Sequence, residues 1–504
     1  MTSAAVQLAA APSACAPSRS SSATRPTRQT RAPSATKARA VAMPMLPSPP
    51  VMRAAFPRSK PLGSIERKIY RVWSRDTRVL APTTGAGGDE AASDSAGWQS
   101  VVTMPRIWLA AGLAVCALFG GGVALFSKDP LHRLWGTSAG ISYTLAAIAI
   151  LTLPSKIRRN GNRDTTGIDV ALAILVGGAI LIPLLWLVWT GHGEPEVGVV
   201  ANSAATLIKH GTPYKSAKVL ATTTNPNLYN PYLPLMAVFG VPQALLGHGL
   251  LTDPRVWFGI VFLGVFAFAL RVAGARDCMR WALLLTVSPI IAFELCVGGT
   301  DVPMVAFMCL GFALLWRPAR SNAVAAGLAL GVASSMKATA WPALAVAFAL
   351  LYVRDGKREA WRFTAWALAV VAVIVGPFAI LRFGALVKNT ILFPLGLASV
   401  KSQAASPLLG HVLAQTGPLG HTIVVILLIG SGLAIAVSLV IRPPRDVPAA
   451  TWRLVIGLSA MFVLAPSTRF GYFIYPAALV LWVLVAQAGR KAVTAVHVQP
   501  GVLE

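Results

Sequence analysis

The chain has 504 residues, 55% of them hydrophobic and only 12% charged, with a mean hydropathy of +0.64. That composition excludes an ordinary soluble domain and points to a membrane protein. The formal net charge of +26 invites a nucleic-acid reading, but the basic residues sit in a polar N-terminal tail and in short loops between apolar runs, which is how lysine and arginine orient a membrane protein.

No zinc-finger, helix-turn-helix or RNA-binding signature is present, so nucleic acid is not an expected partner. The five cysteines (Cys15, Cys116, Cys278, Cys296, Cys309) show no paired spacing. Four lie in or beside apolar segments, where cysteine acts as a small hydrophobe.

Residues 1–104 form the first predicted region, a disordered basic tail. Its first 65 residues hold nine Lys or Arg and no acid, and such a segment cannot bury enough apolar surface to offset its chain entropy. An acid-poor, Arg- and Ser-rich start is typical of a transit peptide. It equally fits a start codon placed too early, with Met43, Met45 and Met52 as later candidates. No compact apolar region precedes a cleavage site, so a signal peptide is not expected.

Residues 105–490 read as one all-α polytopic membrane bundle of about 12 spans. They are predicted near 105–127, 137–153, 168–190, 254–273, 279–297, 301–316, 322–337, 338–353, 361–382, 420–441, 452–467 and 470–488. Several fall short of the roughly 20 residues a span usually needs. Residues 491–504 are expected to be a short cytoplasmic tail.

The stretch from Gly191 to Pro234 is the longest polar interruption in the apolar second half. It opens with Glu194 and Glu196 directly after a span. A surface helix should follow, because Val197, Val200, Ala204, Leu207 and Ile208 share one face of a 3.6-residue period. Pro195 suits its first turn and Gly211 its stop. The two acids either carry chemistry or complement the helix dipole.

The next apolar segment, Pro231 to Gly247, is interrupted by Pro231, Pro234, Gly240 and Pro242. If it does not cross, the basic loops Ser155–Arg163, Arg271–Arg280, Arg317–Arg320, Arg354–Arg362, Arg442–Arg453 and Gly489–Lys491 all fall on one side. The positive-inside rule makes that side the cytoplasm and places both termini there. A re-entrant or surface-lying helix is therefore expected. The loops at 191–234, 298–301, 383–420 and 466–471 then lie outside, with Lys209, Lys215, Lys218, Lys388 and Lys401 suggesting an anionic partner.

Several motifs share that outer side in a fixed order. They are Glu196, Gly211-Thr212-Pro213-Tyr214, Tyr229-Asn230-Pro231-Tyr232-Leu233-Pro234, Gly299-Thr300-Asp301, Lys337 ending a span, and Arg469 in Pro-Ser-Thr-Arg-Phe-Gly-Tyr. In this order they resemble the GT-C superfamily of integral-membrane glycosyltransferases. The nearest likeness is to glycosyltransferase family 87, the polyprenol-phosphate-mannose-dependent mannosyltransferases, and its uncharacterised bacterial relatives. It covers roughly residues 168–490 and leaves the first two spans outside. One departure stands out: the first-loop acid of the superfamily is usually Asp, and both candidates here are Glu.

The resemblance implies an inverting hexosyl transfer, with mannose the expected sugar. The donor would be a polyprenyl-phosphate sugar and the acceptor an envelope lipid or glycan on the extracytoplasmic face of the cell membrane. Such chemistry needs a carboxylate base for the acceptor hydroxyl and positive charge on the leaving phosphate. The acids on the outer side are Asp129, Glu194, Glu196, Asp253, Glu294 and Asp301. Glu196 is the first choice for base and Glu194 the second. Asp301 is the base, an acceptor-orienting group, or simply a helix cap. Glu294 sits inside an apolar run, where a carboxylate is costly.

Arg469 and Lys337 are the phosphate candidates, unless Lys337 merely snorkels and Arg469 merely anchors at the interface. Tyr214, Asn230 and Tyr232 are candidate sugar contacts, unless Pro231 and Pro234 simply shape the turn, and His192 is a candidate pocket residue, unless it is merely polar. No metal-ligand spacing of the His/Cys type occurs, and no resident cofactor or divalent metal is required by the sequence. Two rivals remain. A transporter or lipid flippase would also use broken helices and intramembrane charge, although no internal repeat is visible. An inactive relative acting as an assembly partner would also fit the Asp-to-Glu departure.

Overall fold

The structure, a computed structural model, describes residues 104–153, 166–316, 319–400 and 402–497. All of them lie in one compact unit spanning 84–504. The basic tail, the Ser155–Arg163 loop, Arg317 and Lys401 lie outside the described residues.

The described residues are overwhelmingly helical, and their only β pairing is one isolated bridge between Ala405 and Thr468. In chain order the principal helices are α1 (Arg106–Phe126), α2 (Pro130–Thr152), α3 (Thr166–Trp189), α4 (Pro195–His210) and α5 (Pro234–Leu246). Then come α6 (Pro254–Val272), α7 (Cys278–Thr286), α8 (Pro289–Val297) and α9 (Val302–Leu314). The rest are α10 (Arg320–Ser334), α11 (Trp341–Arg354), α12 (Lys357–Leu381), α13 (Phe383–Leu392), α14 (Pro418–Ile441), α15 (Val447–Leu464) and α16 (Ile474–His497).

Many of these helices start where the sequence places a proline in the first turn, since its missing N–H is unpaired there anyway. Asp129, Asp253 and Asp446 each cap a start by accepting from a backbone N–H. Among the described residues eight helices are long and apolar enough to cross a membrane, and the pair α7–α8, bent by 70°, would make a ninth. Three more predicted spans are the shorter apolar helices α9, α10 and α11. The last helix runs on to His497, so the expected tail from 491 begins as helix.

Contacts sort the helix ends into two groups. At one end, the N–H of Glu194 bonds to the carbonyl of Val297, Arg255 bonds to the carbonyl of Cys296, Asp301 pairs with Lys337, and Arg469 pairs with Glu194. At the other end, Arg280 pairs with Asp169, Arg354 bonds to the carbonyl of Leu315, and Arg453 bonds to Ser438. The predicted outer motifs thus meet at one end, and described basic loops gather at the other.

The segment 231–247 behaves as its prolines imply. It runs as 3₁₀ turns and then a short helix. Leu233 and Leu235 bond to the carbonyls of Met336 and Ser335 at the motif end. The chain is back at that end by Arg255, so the segment returns to the side it left. It packs on α4, where Gly240 lies against the carbonyl of Val200 so closely that a Cβ would come within 2.6 Å.

Two expectations need correcting. The buried face of α4 includes Val197, Val200 and Ala204 as predicted, but also Ser203 and Thr206, while Ile208 is 49% exposed. The polar pair can be buried because Ser203 donates to the carbonyl of Val200, and Thr206 donates to that of Asn202 and accepts from Lys215. The third span is also not regular: Val176–Leu181 forms a π turn. Such a turn frees carbonyls for side chains, and here Trp135 bonds to Ala179 and Ser138 to Gly178. A hydropathy pattern carries no sign of that.

Candidate active site

The site is built where several chain segments converge. The first is the turn after α3, whose Glu194 ends extended and whose Pro195 starts α4. Neither Glu194 nor Asp301 caps its own helix through its side chain. Both carboxylates turn instead to cations from distant segments, which removes capping as the explanation of Asp301.

Arg469 is the centre. Its Nη1 lies 2.7 Å from Glu194 Oε2 and 3.0 Å from Glu196 Oε1. Its direction is fixed by its neighbours. Thr468 is bridged to the 404–406 strand segment through the Ala404 carbonyl and the Ser406 N–H, and the N–H of Phe470 bonds to Ser406 Oγ. The other Glu194 oxygen, Oε1, is 3.0 Å from His132 Nε2 at the start of α2. Glu196 Oε2 accepts from Thr300 Oγ1 at 3.4 Å, and Thr300 in turn accepts from Tyr232 Oη at 3.1 Å.

One layer deeper, Lys337 Nζ sits 2.7 Å from Asp301 Oδ1 and 3.1 Å from Oδ2. It lies 5.4 Å from the Tyr232 ring centre and 4.7 Å from that of Tyr472, within cation–π range. Both partners of this ion pair are nearly enclosed, which fits a lysine held in place rather than one snorkelling to water.

The electrostatics separate the two glutamates. Burial opposes the charge on Glu194, but the hydrogen bond with His132 and the Arg469 guanidinium outweigh it, and its carboxyl is held below the ordinary range. Glu196 goes the other way. Burial is its largest influence, and with the nearby charges of Glu194 and Asp301 it overcomes Arg469 and Lys337, so its carboxyl is pushed up. Two acids side by side with opposed shifts is the pattern that separates a proton acceptor from a permanent charge. Arg469 and Lys337 are held in their charged forms against burial, by Glu196 and Glu194 for the arginine and chiefly by Asp301 for the lysine.

Two cavities meet at this cluster. A cleft of about 1100 Å³ runs from Glu194, Glu294 and Arg469 out between α1 and α8, with Phe119, Val123, Ile290, Phe293 and Phe473 among its walls. A smaller pocket of about 80 Å³ lies on the other side, lined by Glu196, Asn227, Tyr229, Tyr232, Ser402, Gln403, Arg469 and Tyr472. Arg469 lines both, Glu194 only the larger and Glu196 only the smaller. Glu294 borders the cleft opposite Gly471, where a Cβ would come within 2.0 Å of its Oε1, so a side chain there would have to displace the carboxyl.

The remaining sequence candidates separate. Tyr232 is at the site. Tyr214 is buried against Leu233, Val371 and Leu386, and its hydroxyl donates to the Tyr232 carbonyl at 3.0 Å. Asn230 is buried too, accepting from the Tyr232 N–H and donating its own N–H to Asn389 Oδ1. Both hold Tyr232 in place and line neither cavity, as does Lys337. His192 is exposed at the end of α3 and makes no contact with the cluster.

Sequence reasoning missed His132 as a member of the cluster, and the 402–406 strap that divides the cavities; Tyr472, beside Arg469, lines the smaller pocket, as the reading of that stretch as a pocket rim implies. A signal for His132 was present: Lys128-Asp129-Pro130-Leu131-His132 begins a helix on the predicted outer side. Among the described residues no three His, Cys, Asp or Glu side chains converge as metal ligands.

Comparison with known proteins bears out the resemblance. Residues 230–466 match the family model described as Glycosyltransferase family 87. No curated protein matches. Among solved structures, ArnT from Cupriavidus metallidurans in the apo state aligns with a TM-score of 0.37, and the same protein bound to undecaprenyl phosphate with 0.40. Both alignments are 20% identical and cover 64% of this chain and 60% of that one, so this chain spans less than two thirds of ArnT.

Proposed function

We propose that this chain is an integral-membrane glycosyltransferase. It takes a hexose, mannose as the first choice, from a polyprenyl-phosphate donor and passes it to a hydroxyl of an envelope lipid or glycan. The site faces the extracytoplasmic side of the cell membrane, with both termini in the cytoplasm. The family match over 230–466 supports the reaction class. The observation that carries the reading is the single guanidinium of Arg469 held by two carboxylates at the junction of a large apolar cleft and a smaller pocket.

The division of roles follows from which group lines which space. The apolar cleft suits an isoprenoid tail, its volume of about 1100 Å³ lying just above the ~300–1,000 Å³ usual for ligand pockets. A phosphate at its inner end would meet Arg469, which can grip two phosphate oxygens at once. The acceptor hydroxyl approaches from the smaller pocket, on the Glu196 side. Glu196 takes the hydroxyl proton, the hydroxyl oxygen attacks the anomeric carbon, and the bond from that carbon to the phosphate oxygen breaks. The electron pair leaves with the phosphate, whose charge Arg469 stabilises, and the sugar inverts. Glu196, with its carboxyl pushed up toward neutrality, is better suited to accept a proton than Glu194. Asp301 and Lys337 hold Tyr232 and Tyr472 as the pocket floor. The cationic side chains supply the charge this step needs, so no resident metal is invoked.

The test is transfer in detergent or nanodiscs from radiolabelled polyprenyl-phosphate-mannose, with other polyprenyl-phosphate hexoses alongside, to a membrane-lipid extract. Label moving into a product with wild type but not with Glu196→Gln supports the reading. Absence of transfer from every such donor, with intact protein that also fails to bind the donor, refutes it.

A further inference from the structure

The helical hairpin α1–α2 precedes the stretch that matches the glycosyltransferase family, and none of the reacting groups named above comes from it. Its first helix, α1, is also peripheral. Only 11% of the apolar window of α1 is buried, and Ile107, Leu118, Leu125 and Phe126 are exposed. Its main packing is against α2, where Gly120 and Gly136 let the two backbones touch; a Cβ on Gly136 would lie 2.6 Å from the Gly120 carbonyl oxygen. Small residues of this kind are how membrane helices approach closely.

The tip of the hairpin nevertheless reaches the site. Phe119 and Val123 form part of one wall of the large cleft, and Lys128 and His132 line it together with Arg469. The His132 ring stands edge-on to Phe293 of α8 across the cleft, with centres 4.9 Å apart. It bonds Glu194 through Nε2 and meets Ser127 Oγ through Nδ1 at 3.3 Å. Lys128 is exposed at the rim and makes no ion pair among the described residues. The cleft therefore has apolar walls and a polar lining in which Lys128, His132 and Arg469 stand among the carboxyls of Asp129, Glu194 and Glu294; Arg469 is paired with Glu194 and Asp129 lies 3.9 Å from His132, which leaves Lys128 as the cation there without an ion pair among the described residues.

We propose that the hairpin tip completes the phosphate end of the donor cleft: Lys128 is a second cation for an isoprenyl phosphate, and His132 is a positioning residue that retains Glu194 when Arg469 turns to that phosphate. This rests on the donor reading above. Arg469 cannot serve two carboxylates and a phosphate equally, and a Glu194 without another partner would compete for it. His132 supplies that partner.

The experiment compares binding of decaprenyl phosphate and of decaprenol, the uncharged alcohol, to the full chain in nanodiscs. Lys128→Ala should weaken decaprenyl phosphate about tenfold, in line with the loss of one hydrogen bond to a charged group, and leave decaprenol unchanged. Lys128→Arg should recover most of that loss. His132→Gln should also weaken the phosphate ligand selectively, by a few-fold. Arg133→Ala, an exposed neighbour that bonds only the Ala124 carbonyl, should change neither. Equal phosphate affinity for wild type and Lys128→Ala overturns the assignment, and so does an equal loss of both ligands, which would mark the tip as structural. Wild-type protein that binds neither ligand sinks the donor reading itself, a result distinct from both.

Discussion

Replacing Glu196 by Gln is the sharpest perturbation of the proposed chemistry. The amide keeps the shape of the side chain, and its oxygen can still accept from Thr300. What is lost is the proton acceptor. A positioned general base contributes roughly 10²–10⁴ in rate, or about 3–5 kcal/mol of barrier at ~1.4 kcal/mol per decade, so kcat should fall by that factor. Donor binding should not fall with it. Glu196 Oε1 lies 3.0 Å from Arg469, where the bare attraction at an effective dielectric of about 20 is roughly 5 kcal/mol. Desolvation and solvent screening reduce such a pair to about 1 kcal/mol net, and both side chains here are about one fifth exposed (21% and 22%). Removing this competitor leaves Arg469 freer for phosphate, so donor affinity should hold or tighten, by about fivefold at most. Single-turnover transfer of labelled donor measures the first quantity and equilibrium donor binding the second. A kcat within threefold of wild type, or matched losses of kcat and donor affinity, would refute the assignment. Glu194→Gln should behave differently, because Glu194 borders only the donor cleft: its main effect should be on donor affinity.

The remaining predictions concern pH, stability and sidedness. The Glu196 carboxyl is raised above its ordinary 4.5, and a base works only when deprotonated, so kcat/KM should fall with acid at a pH above that of an ordinary carboxylate; an acid limb below it would contradict the assignment. In stability the two glutamates oppose each other: Glu194, held low, adds stability that is lost as pH falls through its folded value, whereas protonating Glu196 removes a penalty. Lys337→Met alone should destabilise the fold by about 3–5 kcal/mol, because it strands a largely buried Asp301, and Lys337→Met with Asp301→Leu should regain most of the loss; thermal unfolding in detergent that shows no such recovery would mean the pair is not stabilising in this way. Cysteines placed at Thr224 and Ser402 should react with impermeant reagent applied outside intact cells, and one at Arg445 should not. The reverse pattern would invert the proposed orientation.

Much of the architecture was legible in the sequence because it depends on neighbouring residues. Apolar runs set the helices, prolines set their starts, and Gly211 ends α4 in the left-handed conformation predicted for it (φ 64°). The broken 231–247 segment could be read from its prolines together with the placement of arginines in distant loops. Glu194, Glu196 and Arg469 were legible as candidates because a carboxylate or guanidinium beside a span has few uses. Which groups face one another was not. Arg469 and Glu194 are 275 residues apart in sequence and His132 and Glu194 are 62 apart, so only the packing of helix ends brings them into contact. That packing made Tyr214 and Asn230 supports for Tyr232, left His192 in the open, placed the Lys337–Asp301 pair behind two tyrosines, and drew His132 in from a hairpin outside the family likeness. Sequence determined the kinds of charge available on one face of a membrane bundle. The tertiary fold decided their pairing, because electrostatic and hydrogen-bond energies act over a few ångströms of space, whatever the separation along the chain.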